Sequence, residues 1–168
     1  MTRFFAGDLL AAADLEDISP DPVVQIGLAT DSGSLSSTAS VSLTLPSYTY
    51  KAGRAYEVWV GGGITYSVST AAFSSWSLQK GTTTAGALVC YLGRHNNGAS
   101  TNLELALSFR HVFMIGAADV TTQLCLTASV NSTNTAVHKG TTAGNPRWLA
   151  IKRAGLAASW PSTTPVLS

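Results

Sequence analysis

Charge is the scarcest property of this sequence. Asp, Glu, Lys and Arg supply 11% of its 168 residues, against about 25% in an ordinary soluble protein. Ser and Thr take up the difference with 40 residues. A hydroxyl-bearing surface suits packed assemblies and extracellular life, because few charges lose their water when neighbours touch. Long apolar runs are also missing: nothing approaches the ~18 residues of a membrane span. A signal peptide is not expected, since Asp8 interrupts the first apolar stretch and acids follow where a cleavage region would lie. Cysteine is limited to Cys90 and Cys125, both in apolar stretches without CxxC spacing. Metal binding is therefore not expected; the two are core thiols, or else form one disulfide.

The few charges are unevenly placed. Residues 1–21 hold Arg3 and five acids (Asp8, Asp14, Glu16, Asp17, Asp21), a balance of −4, and residues 22–168 hold nine bases and four acids, a balance of +5. An acidic arm thus precedes a mildly basic body. It is either a solvated end or an arm that docks on a basic surface, its own body's or a neighbour's. Only Lys152 and Arg153 are adjacent bases, so nucleic acid is not an expected partner.

Ala11, Leu15 and Ile18 repeat at i, i+4 and i+7, one face of a short helix, with Asp8 as its cap. Ser19-Pro20-Asp21-Pro22 stops it. A helix of about 8–10 residues is marginal alone in water and needs a surface to hold it. From Val23 onward the pattern is β. Strands are expected at 23–30, 38–45, 55–60, 64–70, 71–80, 87–93, 103–116, 121–130 and 146–155, with Gly61-Gly62-Gly63 breaking the third from the fourth. The long 103–116 segment could bend between two sheets. The expected fold is all-β: an antiparallel β-sandwich or jelly roll over 23–156. An anchoring arm with a short helix covers 1–22, and an extended Pro/Ser/Thr-rich tail covers 157–168.

Catalytic motifs are sparse. Asp31-Ser32-Gly33 resembles a serine-protease nucleophile segment, but it lacks the flanking glycines and precedes every histidine. It reads better as a loop. His95, His111 and His138 are far apart, and Glu57 and Glu104 lie in strand patterns as solvent-facing positions. No catalytic residue and no cofactor are expected. The aromatic crowding at 48–76 leaves two readings open. Tyr56, Trp59, Tyr66 and Trp76 either pack the core or form an exposed ligand surface of the kind that carbohydrate-binding β-sandwiches use.

Phe5-Ala6-Gly7-Asp8-Leu9-Leu10-Ala11-Ala12-Ala13-Asp14-Leu15 resembles the F-x-A-G-x-x-L-x-A-A-D-L segment at the front of many tailed-bacteriophage virion proteins, especially those of actinobacterial phages. Ala11 stands where that segment usually has a Ser or Thr cap, and Glu16 where Asn is frequent. Lys51-Ala52-Gly53-Arg54-Ala55-Tyr56-Glu57-Val58 and Asn145-Pro146-Arg147-Trp148-Leu149 are similar to two strands of the same family's β domains. The resemblance implies a non-enzymatic virion structural protein with a jelly-roll-like domain, often a homotrimer. Within that family the expectation is a capsid decoration protein on the virion surface, assembled in the bacterial host cytoplasm. Phe5, Leu10, Leu15 and Ile18 would anchor it on the major capsid protein or another virion protein. The alternative is a minor tail or fibre protein whose β domain binds a receptor or a host surface glycan.

Overall fold

The computed structural model describes residues 22–67, 72–97, 104–131, 134–140 and 146–168. The helix expected over 8–18, and with it Phe5, Leu10, Leu15 and Ile18, lies outside them. The described chain is a β-sandwich. Its larger sheet contains β1 (Val24–Leu28), β4 (Arg54–Tyr66), β7 (Leu105–Ile115), β10 (Ala136–Lys139), β11 (Arg147–Leu156) and β12 (Val166–Leu167). The order is β1-β11-β4-β7-β12, and β10 continues the β11 side of β4 at Gly63–Tyr66. The smaller sheet, β2-β9-β5-β6, contains β2 (Ser40–Thr44), β5 (Phe73–Lys80), β6 (Leu88–Asn96) and β9 (Leu124–Val130). Two short strands, β3 (Tyr48–Tyr50) and β8 (Val120–Thr122), pair as a separate ribbon.

Period-2 alternation decides what is buried. Along β4, Tyr56, Val58, Val60, Ile64 and Tyr66 are buried, while Glu57, Trp59 and Thr65 are half-buried on the other face. Trp76 and Leu78 of β5 and Leu124, Leu126 and Ala128 of β9 join them in one core cluster. Each large apolar side chain buried this way contributes about 1.5–3 kcal/mol.

Strand β4 does not break at Gly61-Gly62-Gly63 as the sequence suggested; it runs through them, paired on both sides. The glycines are there for close approach. A Cβ on Gly61 would fall 2.4 Å from the Trp148 indole, and one on Gly62 would meet His138 Nε2 at 2.9 Å. Gly61→Ala is expected to cost about 1–3 kcal/mol through overpacking. Truncating Trp148 as well should recover part of that loss, measured as a double-mutant cycle of unfolding free energies.

Three further differences concern how segments are divided and placed. The 121–130 pattern is divided at Gln123 between β8 and β9, which belong to different sheets. Long β7 does not bend between sheets; it pairs with β4 over most of its length. The 157–168 segment is tied into the sandwich. It makes a 3-10 turn at Ala157–Ser159 and adds β12 parallel to β7, with Leu167 buried.

Both family-like motifs serve as structural pins. In the first, Gly53 takes a φ of 67° in the turn, a conformation that favours glycine. Asp119 accepts a 2.8 Å bond from Ala52 N and pairs with Lys51 Nζ, and Lys51 N donates to the buried Tyr56 hydroxyl at 2.8 Å. In the second, Arg147 and Leu149 are buried and Trp148 covers Gly61 from outside.

Candidate functional site

The aromatic cluster is divided by strand parity. Tyr56, Tyr66 and Trp76 are 0%, 1% and 0% exposed, so the reading of these three as a ligand surface is corrected: they are core. Tyr56 stacks on Phe113 at 5.7 Å, and Tyr50 meets both rings edge-on. Trp76 Nε1 donates to Ser74 Oγ at 2.7 Å, and Ser74 Oγ in turn lies 2.8 Å from the Tyr66 hydroxyl. Buried aromatic hydroxyl and N–H groups of this kind usually need such partners. Desolvation on burial, partly offset by Ser74, raises the Tyr66 pKa.

Trp59 points the other way and is half-buried. Arg110 of β7 and Lys152 of β11 reach it from the two flanking strands, with Arg110 Cζ 3.6 Å and Lys152 Nζ 4.2 Å from the ring centroid. Each such cation–π contact contributes about 0.5–1 kcal/mol at an exposed site. The same outer face carries Glu57, directly opposite Lys152 and Val112. Beside it the C-terminal segment forms the wall of a cleft of about 510 Å³. Glu57, Arg110, His111 and Val112 line its floor, and Trp160, Pro161, Thr163, Thr164 and Pro165 line its wall. Trp160 is 36% exposed, and its Nε1 donates to Ala154 O at 3.0 Å. Sequence reasoning found Trp59 but missed Arg110 and Trp160. No local spacing joins them; only strand register and the docked tail do.

A second polar group is buried between the sheets. His138 is 0% exposed. Its Nδ1 lies 2.7 Å from Ser42 Oγ and its Nε2 3.2 Å from Gly61 O. A neutral ring that accepts from Ser42 and donates to Gly61 satisfies both contacts. Arg147, also buried, donates from Nε to Thr30 O at 2.6 Å and from Nη1 to Ser42 O. The Asp31-Ser32-Gly33 loop closes over this group. Ser32 Oγ accepts from His138 N at 3.0 Å, and Lys139 pairs with Asp31. The Lys139 side chain, and then the Gly140 N–H, hold the Asp31 carboxyl below the usual carboxylate range. Ser42 and His138 make a Ser–His pair, but at 6% and 0% exposure they form a structural clamp.

Burial lowers the His138 pKa to about 4, with Arg147 adding to the effect and the Gly61 bond opposing it. Its unfolded value is near 6.5. Between those values the unfolded chain binds the proton and the folded chain does not, so stability is full above about pH 6.5 and falls as pH drops towards 4. The total loss is about 3 kcal/mol. His95, lowered by burial, adds in the same direction. Urea midpoints taken from pH 7 down to pH 4.5 should fall, with a shallower slope in His138→Gln.

Both cysteines are free and buried. Cys90 pairs in register with inward Leu78, and Cys125 with Gln79 on the opposite face. Burial pushes the Cys90 thiol up to about 12. Among the described residues no group of three or more His, Cys, Asp or Glu could hold a metal ion. Among them, too, no helix is long and apolar enough to cross a membrane.

No protein-family model matches the sequence, and no curated protein matches it. Among solved structures the chain is similar to the VP2 subviral particle of infectious bursal disease virus, at 19% identity and a TM-score of 0.39, over 82% of this chain and 38% of that one. The chain thus spans under two-fifths of that viral chain's length. It is also similar to the EclA C-terminal domain, described as a sugar-binding protein, at 14% identity and a TM-score of 0.34, over 87% and 84% of the two chains. A third is the CBM36-1 domain of a multidomain xylanase from the hindgut metagenome of Trinervitermes trinervoides, at 15% identity and a TM-score of 0.33, over 79% and 98%. Likenesses this distant carry no argument about ligand or assembly.

Proposed function

We propose that this chain is a non-enzymatic bacteriophage virion structural protein, a decoration protein of the head surface. Residues 1–21 anchor it to the major capsid protein, and the β body faces outward as a homotrimer. The observation that carries this reading is the outer face of the four-stranded sheet. Ser75, Ser77, Gln79, Thr44 and Ser129 lie half-buried there, with Leu88 62% and Tyr91 46% exposed along the β6 edge. Lys80 and Arg94 are the only Asp, Glu, Lys or Arg residues in these four strands. Such a face meets a neighbour without desolvating charge. The N-terminal resemblance and the opposed charges of arm and body support the same reading.

A second reading, a tail or fibre protein that binds a host glycan, is favoured by the cleft at Trp160. Immunogold electron microscopy of purified particles, with antibody against residues 22–168, separates the two. Label over the heads is the expected result. Label at the tail tip would move the protein to adhesion, and absence from particles would overturn the virion reading.

A further inference from the structure

We propose that the cleft between the 157–168 segment and the outer face of the six-stranded sheet binds a neutral saccharide. Trp160 is its stacking platform, and Glu57 and Arg110 are the partners of its hydroxyls. The inference rests on the glycan-binding reading above and takes its stacking ring from the C-terminal segment rather than from the aromatic cluster at 48–76.

Three features of the cleft point to this ligand. The first is a preformed wall. Trp160 is fixed by its bond to Ala154 O, Thr164 N donates to Pro161 O at 2.9 Å, and Met114 N donates to Pro165 O at 2.8 Å. Pro161 and Pro165 fix φ along the segment, so little ordering entropy is lost on binding. The second is shape. A concave site of about 510 Å³ lies within the ~300–1,000 Å³ of small-molecule sites, and a part-exposed indole offers a flat apolar plane to the C–H face of a sugar ring. The third is charge. Arg110 holds its guanidinium over Trp59, with Cζ 3.6 Å from the ring centroid, and it carries five N–H donors in a planar fork. Glu57 stands in the same floor. A carboxylate accepts two hydroxyl protons at once, and beside Arg110 it leaves the floor without net charge. A ring rich in vicinal hydroxyls uses both groups, and the Thr163 and Thr164 side chains add further polar contacts at the wall.

The test titrates the full chain with glucose, galactose, mannose, arabinose, N-acetylglucosamine and their β-linked dimers. Tryptophan fluorescence and saturation-transfer NMR read the binding. At least one sugar is expected to bind at millimolar concentration, and Trp160→Ala and Glu57→Gln are each expected to weaken it about tenfold or more. Tyr91→Ser, on the other sheet, should leave it unchanged. Glu57→Gln keeps the side chain's shape, so its loss of binding with an unaltered melting temperature excludes misfolding as the cause. Wild-type binding that survives both cleft variants would overturn this site and leave the glycan reading standing. No binding of any of these sugars would overturn both.

Discussion

Replacing Trp76 with alanine is expected to remove about 3–5 kcal/mol of stability, a large share of the ~5–15 kcal/mol that holds a typical domain together. The ring is wholly buried. It lies edge-on to His138 at 5.1 Å and tilted against Phe109 at 6.2 Å, so it joins the two sheets at the buried polar group. Its N–H also ends a chain that runs through Ser74 and the Tyr66 hydroxyl to His95. Alanine opens a cavity and removes the donor to Ser74 at once. Trp76→Phe keeps most of the volume and should cost markedly less. Guanidinium unfolding monitored by circular dichroism measures both. A loss under about 1 kcal/mol for alanine would contradict the core placement.

Arg147→Ala is expected to cost about 3 kcal/mol or more. The guanidinium donates to Thr30 O and to Ser42 O, with longer contacts to Ser42 Oγ and Asp31 O. It thereby holds the 29–34 loop and β2 against β11. Removing it takes the donor from the buried Ser42 carbonyl, at about 1–3 kcal/mol, releases the part-buried Thr30 carbonyl to water, and empties the space that the buried stem fills. Lysine is no substitute, because a single ammonium on a flexible stem cannot span the acceptors that a planar fork reaches. Arg147→Lys should therefore recover only part of the loss. For a domain of this size the alanine variant should melt roughly 6–12 °C lower. A shift within a degree or two would contradict this bracing role for Arg147.

Much of the sandwich was legible in alternation alone. Val41, Leu43 and Leu45 against Ser40, Ser42 and Thr44 announced β2, and the apolar run at 87–93 announced the start of β6. Where the reading failed, long-range contacts were the cause. Glycines that look like a break are the space into which Trp148, His138 and Glu104 pack. Val41 and Leu43, alike in the pattern, are separated by a register shift that turns Ser42 inward to His138.

The aromatic cluster held a signal that the sequence reading did not use. Tyr56 and Trp59 are three residues apart on one strand, so their side chains must lie on opposite faces. One had to be core if the other was surface. The cleft itself was illegible. Arg110 faces Trp59 only through the β4–β7 register, and Trp160 comes from a segment whose composition suggested an extended tail.

The most direct measurement of the central claim is particle incorporation of the full chain against a chain lacking residues 1–21, each supplied to phage assembling without its own copy. Occupancy is read from purified particles, and circular dichroism checks that the shortened protein is folded. The account predicts a folded body that is absent from particles. Full occupancy by the shortened chain would contradict the anchoring role of the acidic arm.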